Sequence, residues 1–114
     1  MRESKIEKAL KAGIEDLGGE CYKWVSPGRV GPPDRICVFD FGFLFFAELK
    51  STNGEVEEWQ EREHARLKRR GFKVFVLHDL DSVWYVCRWA EVKLKELKEN
   101  AMKPKKPKPK PKPC

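Results

Sequence analysis

Residues 43–50, FLFFAELK, constrain the fold more than any other stretch of the chain. Phe43 to Ala47 are apolar without a break, and successive side chains of an extended strand point to opposite faces. A strand that is apolar on both faces has to be covered on both, which predicts a central strand in a layered α/β domain. Each phenylalanine buried there contributes about 1.5–3 kcal/mol of transfer free energy. The run ends on an acid and a lysine two residues apart, Glu48 and Lys50, which share a face. Such groups are costly to bury unless they are paired or bound to a metal.

The pattern on either side supplies the covering elements. Ile6, Leu10, Ile14 and Leu17 recur at helical spacing and predict a helix over 3–17, closed by Gly18-Gly19. Residues 20–25 and 35–40 read as strands, and the second pairs with 43–49 as a hairpin through Phe41-Gly42. Between the two strands, SPGRVGPPD (26–34) is a loop with a constrained path. A helix over 55–70 follows, with a weak apolar stripe of Val56, Trp59 and Leu67 flanked by Gln60 and His64. Residues 72–78 form a strand of strong β-propensity. A short strand over 82–88 and a helix over 89–100 complete the reading. The order predicts a mixed α/β domain over 1–100, a small sheet with helices on both faces.

The net charge of +6 is a property of the C-terminal end. Residues 101–114 hold six lysines, five prolines and no acid, which leaves 18 basic against 18 acidic residues in 1–100. Like charges and missing backbone donors predict a disordered basic tail over 101–114, able to add non-specific DNA affinity through counterion release. A polyanion is the partner that this balance fits. The five-residue apolar run is far short of the ~20 needed for a membrane span, and the charged N-terminus has no signal-peptide core. Cys21, Cys37, Cys87 and Cys114 lie far apart without a CxxC. The first three read as buried strand thiols of a reducing cytoplasm, not as zinc ligands or a disulfide framework.

One constellation carries chemistry. An antiparallel hairpin brings Asp34, at the start of one strand, close to Glu48, at the end of the other. Two carboxylates at one point repel unless a cation sits between them, and a hard divalent ion suits carboxylate and carbonyl oxygens. Lys50 can orient or deprotonate a water, or stabilise charge on a phosphate. Each residue also has an ordinary reading: Asp34 as a turn acid, and Glu48 with Lys50 as a surface ion pair worth at most about 1 kcal/mol. Glu7 borders the apolar stripe of the first helix and can equally be a solvated helix-start acid. His64 reads as an interfacial histidine, and Trp24, Trp59, Trp84 and Trp89 as core or dimer-interface residues.

Pro33-Asp34, thirteen residues, then Glu48-Leu49-Lys50 matches the PD-(D/E)XK nuclease pattern. With its flanks SPGRVGPPDR, FFAELK, NGEVEEWQ and RRGFKVFVL, the chain closely resembles the virus-type replication-repair nuclease (VRR-NUC) family over about residues 4–78. The resemblance implies a restriction-endonuclease-like αβββαβ core and hydrolysis of DNA phosphodiesters dependent on Mg²⁺ or Mn²⁺. Carried over by position, Asp34, Glu48 and the Leu49 carbonyl are metal ligands and Lys50 is the catalytic lysine. Glu7 is the helix acid of the site, and Gln60 the family's glutamine beside it. Small stand-alone members resemble phage-encoded enzymes that work as homodimers on branched DNA such as Holliday junctions, in a bacterial or phage-infected cytoplasm. Arg29 and Arg35 flank the site and are candidate phosphate contacts. The competing readings are a non-catalytic branched-DNA-binding module and a nuclease of flap, nicking or restriction type.

Overall fold

The first helix, α1 (Glu3–Asp16), buries Ile6, Leu10 and Ile14, one residue per turn along a single stripe. It stops where the chain takes a left-handed glycine: Gly18 has φ +82°, and the N–H groups of Gly18 and Gly19 donate to the carbonyls of Glu15 and Ile14 at 2.9 Å each. These coordinates are a computed structural model that describes residues 2–25, 28, 31–104 and 111.

Four strands follow in spatial order: β1 (Glu20–Lys23), β2 (Arg35–Val38), β3 (Leu44–Leu49) and β4 (Val74–Leu77). β1–β2 and β2–β3 are antiparallel, with Cys21 opposite Cys37 and Arg35 opposite Ala47. β3–β4 is parallel, because α2 (Glu58–Arg69) carries the chain back across the sheet. The expected hairpin is present, turned by a 3₁₀ segment at Asp40–Gly42 in which Phe41 has φ +64°.

Alternation sorts the strands into two faces. Cys37, Phe45, Ala47, Leu49 and Leu77 meet α1 and the stripe Val83, Val86 and Ala90 of α3 (Leu80–Met102). Trp89 joins Phe43, Phe45 and Phe75 in an aromatic cluster beside them. On the opposite face, the Phe46 ring stacks on Trp24 at 5.0 Å and meets Phe72 edge-on at 5.6 Å. Trp59 and Trp84 are exposed.

Two expectations are corrected. Residues 82–88 are not a strand and Cys87 is not a strand thiol, since α3 runs unbroken from Leu80 to Met102. The Asp79 side chain caps it, accepting the Ser82 N–H at 2.8 Å, and burial recurs at 83, 86 and 90. That cap and helical period outweigh the β-propensity of VWYV. The stripe proposed for α2 is also wrong. The helix turns Gln60 and His64 inward, Trp59 is 41% exposed, and Val56 precedes the helix. α2 meets Glu48, the single acid of β3, so it presents an amide and an imidazole where a core helix would present leucines. α3 extends two residues past the expected domain boundary at 100, and 105–110 and 112–114 of the expected tail lie outside the described residues. Among the described residues, no helix is long and apolar enough to cross a membrane.

Candidate active site

The β2–β3 register builds the site. Arg35 pairs with Ala47, so one step further back along β2 Asp34 stands against Glu48. The Leu49 N–H donates to Asp34 Oδ2 at 3.1 Å. In an extended strand a residue's N–H and C=O point to the same side, so the Leu49 carbonyl also looks toward Asp34. The next amide looks the other way: the Lys50 N–H donates to the Leu77 carbonyl of β4 at 3.0 Å.

Glu48 is the most enclosed charged residue, only 2% exposed. Its Oε2 accepts from Gln60 Nε2 at 3.2 Å and lies 3.8 Å from Lys50 Nζ. Gln60 is oriented for this by its other end, because Gln60 Oε1 accepts the Glu57 N–H at 3.0 Å as part of the α2 capping box. The amide oxygen is used at the helix start, so the NH₂ has to face Glu48. His64, one turn along α2 from Gln60, sets Nε2 3.7 Å from Glu48 Oε1. That is too long for a hydrogen bond, and both atoms are buried with no hydrogen-bond partner among the described residues.

The electrostatics follow from this crowding. Asp34 and Glu48 perturb each other's carboxyl groups across the strand register. Burial, then the neighbouring Glu48 carboxylate, push the Asp34 carboxyl up to about 6, against the opposing pull of the Leu49 N–H and Arg35. Burial also raises the Glu48 carboxyl, but His64, Asp34 and Lys50 together outweigh it and hold Glu48 below the usual range. Without a cation the pair therefore tends to share one proton. With one it can lose that proton, and the partnerless Glu48 Oε1 is an oxygen with capacity to spare. Two carboxylates and a carbonyl converging at one strand end are the hard oxygen donors that Mg²⁺ or Mn²⁺ takes, so the residues fit a divalent ion. The protein donors are few: among the described residues, no three His, Cys, Asp or Glu side chains form a ready metal cluster.

The structure thus brings Asp34, Glu48, Leu49, Lys50 and Gln60 together. Glu7 stands on the α1 side, where its carboxylate pairs with Arg35 at 3.0 Å. Arg35 is 7% exposed, and its second nitrogen donates to the Asp34 carbonyl at 3.0 Å. Its guanidinium therefore ties α1 to the residue before β2 instead of standing open to solvent. Arg29 lies outside the described residues. His64 and Glu57 carry parts of the site that the sequence reading did not assign. The signal for His64 was its i+4 spacing from Gln60 on a helix with few apolar residues.

Comparison with known proteins bears on the family and the fold. A curated protein named "Putative nuclease p44", from Acyrthosiphon pisum secondary endosymbiont phage 1, is 44% identical over 85 residues, 73% of this chain and 91% of that protein. A solved structure described as a VRR_NUC domain superposes with a TM-score of 0.71 at 33% identity, covering 75% of this chain and 94% of the other. No family model matches the chain.

Proposed function

The chain belongs to the VRR-NUC nuclease family, and we propose that it is a divalent-metal-dependent DNA endonuclease that cuts branched DNA such as Holliday junctions. The observation that carries the chemistry is the Asp34–Glu48 pair, a half-buried and a buried carboxylate set against each other by the strand register, with a buried Glu48 oxygen lacking a hydrogen-bond partner and Lys50 3.8 Å from the other. Asp34, Glu48 and the Leu49 carbonyl would hold the ion. When bound, it supplies positive charge that stabilises the phosphate transition state and eases deprotonation of water.

The remaining roles belong to the chain itself. Lys50 donates to a non-bridging phosphate oxygen or orients the attacking water, which forms the new P–O bond as the strand's P–O bond breaks. Gln60 fixes the Glu48 carboxylate, so the acid meets its load in one rotamer. Glu7, through Arg35, steadies the backbone that presents Asp34. The branched-DNA assignment rests on the likeness to small stand-alone family members, and so does a homodimer with two sites for paired nicks. Residues 1–100 are the nuclease unit and the Lys/Pro segment 101–114 an accessory basic tail, acting in the cytoplasm of a bacterial or phage-infected cell.

Cleavage of a fluorescent panel tests the reading: four-way junction, flap, nicked duplex, plain duplex and single strand, each in Mg²⁺, Mn²⁺ or EDTA. Paired, metal-dependent cuts in the junction are the expected result. Metal-dependent cutting confined to the other structures would move the role to flap, nicking or restriction-type processing. Tight junction binding with no cut in any metal would leave a binding module and overturn the enzymatic assignment.

A further inference from the structure

The site uses only the first half of α2. The exposed C-terminal end of the helix and its cap residue carry three arginines within five residues, Arg66, Arg69 and Arg70, around a hollow of about 400 Å³. Arg66 and Arg70 also line an adjoining groove of about 330 Å³, whose apolar wall is Trp24, Pro32 and Leu67. Pro32 stands two residues before Asp34, and Trp24 rests on Phe46, two residues before Glu48 on the same face of β3. The groove therefore lies on the same side of the sheet as the Glu48 carboxylate, toward the C-terminal end of α2. It is a built wall on one side: Gly31 takes φ +98° and packs so close to Trp59 and Glu63 that a Cβ there would meet both at 3.0 Å.

The groove also holds one acid, Glu63, 3.6 Å from Arg66, while among the described residues no carboxylate pairs with Arg69 or Arg70, so the arginines exceed the acid. One cation at a helix C-terminus is explained by the helix dipole. Three guanidiniums converging on one hollow, beside an apolar wall on the carboxylate side of the sheet, require a further reason.

We propose that this groove is the track for the DNA backbone leaving the cleavage site, with Arg66, Arg69 and Arg70 as phosphate contacts. The proposal deepens the nuclease reading and rests on it for the identity of the polyanion. It also carries a length. From Gln60 to Arg70 is about 15 Å along the helix at ~1.5 Å per residue, which corresponds to roughly four nucleotides of one strand at ~3.4 Å each. A substrate should therefore have to extend about four nucleotides beyond the cut on one side to use the arginines.

The test is binding of the full-length chain to a fluorescent four-way junction in EDTA over a range of salt. Arg69→Gln and the Arg69→Gln/Arg70→Gln pair are compared with wild type. Each lost contact should reduce the log–log salt slope by roughly 0.9, so the pair should lose close to two units of slope. Arg69→Lys/Arg70→Lys, which keeps the charge, should hold it. Arg62→Gln is the control, since Arg62 lies on the same helix outside the groove and pairs with Glu58. In Mg²⁺ the Gln pair should raise KM on the junction with kcat near wild type. An unchanged slope in the Gln pair, or a loss matched by Arg62→Gln, overturns the track. If wild type cuts nothing in any metal, the nuclease reading fails, while the slopes in EDTA still decide whether these arginines bind DNA.

Discussion

Replacing Asp34 with asparagine should destroy cleavage and at the same time make the metal-free protein more stable. In the metal-free fold, burial and Glu48 lift the Asp34 carboxyl from 3.8 to about 6. Two pKa units correspond to about 3 kcal/mol of disfavoured ionisation, and because the group is only half-buried, solvent screening reduces this to roughly 1–2 kcal/mol. Asparagine keeps the useful bond, since its amide oxygen can accept the Leu49 N–H now donated to Asp34 Oδ2 at 3.1 Å. Its NH₂ can donate to Glu48, where the aspartate repels. A gain of 1–2 kcal/mol in a domain of this size raises Tm by about 5–10 °C. The sign with pH is fixed by the raised value. The folded protein holds a proton that the unfolded chain releases between pH 3.8 and about 6, so wild-type stability falls as pH rises through that window. The advantage of Asp34→Asn should be full above pH 7 and shrink as pH falls through 6 toward 4. Circular-dichroism melts in EDTA at pH 7.5 and 4.5 read this directly. Mg²⁺ should then stabilise wild type, by about 2.7 kcal/mol at a hundred times its Kd, and leave the variant unchanged. A variant less stable than wild type at pH 7.5, or an advantage independent of pH, would refute the repulsion argument.

The other predictions test the parts around that pair. Gln60→Ala should lower activity about 10–100-fold with little change in junction affinity, measured by single-turnover cleavage and by binding in EDTA, because it frees the Glu48 carboxylate without touching DNA. The acid limb of the pH–rate profile should fall away below about pH 6, as protons compete for Asp34, and should move to lower pH when Mg²⁺ is raised; a limb indifferent to metal concentration would argue against ligation by Asp34. Gly19→Ala should destabilise by about 1–3 kcal/mol in urea unfolding, since a Cβ there would lie 2.6 Å from Phe39 Cδ1 and 2.9 Å from the Val38 carbonyl oxygen.

How much of this was legible depended on whether neighbours along the chain decided it. The FLFFAEL run fixed a central strand, because no other placement hides side chains on both of its faces, and the α1 stripe ended where Gly18 supplies a positive φ. Asp34, Glu48 and Lys50 could be read together because a hairpin makes their juxtaposition a matter of register. The errors arose where tertiary surroundings override local preference. VWYV favours a strand on its own, yet Asp79 and Ser82 start a helix ahead of it and its buried positions fall at helical period. α2 looked like a poor helix because its apolar stripe is thin. The stripe is thin because the helix covers a carboxylate, and only the fold reveals that Gln60 and His64 face Glu48. Arg35 looked like a surface phosphate contact because sequence does not show that Glu7 lies across the helix–sheet boundary from it. The arginine groove was invisible for the same reason, as Trp24 and Pro32 lie more than thirty residues from Arg66 along the chain.

The central claim is that Asp34, Glu48 and Lys50 form a metal-loaded hydrolytic centre. Single-turnover cleavage of a four-way junction in Mg²⁺ by wild type, Asp34→Ala and Lys50→Ala, with binding of each measured in EDTA, tests it most directly. Wild type should cut, neither variant should, and all three should bind the junction with similar affinity and melt as folded proteins. Cutting by either variant at the wild-type rate would contradict it.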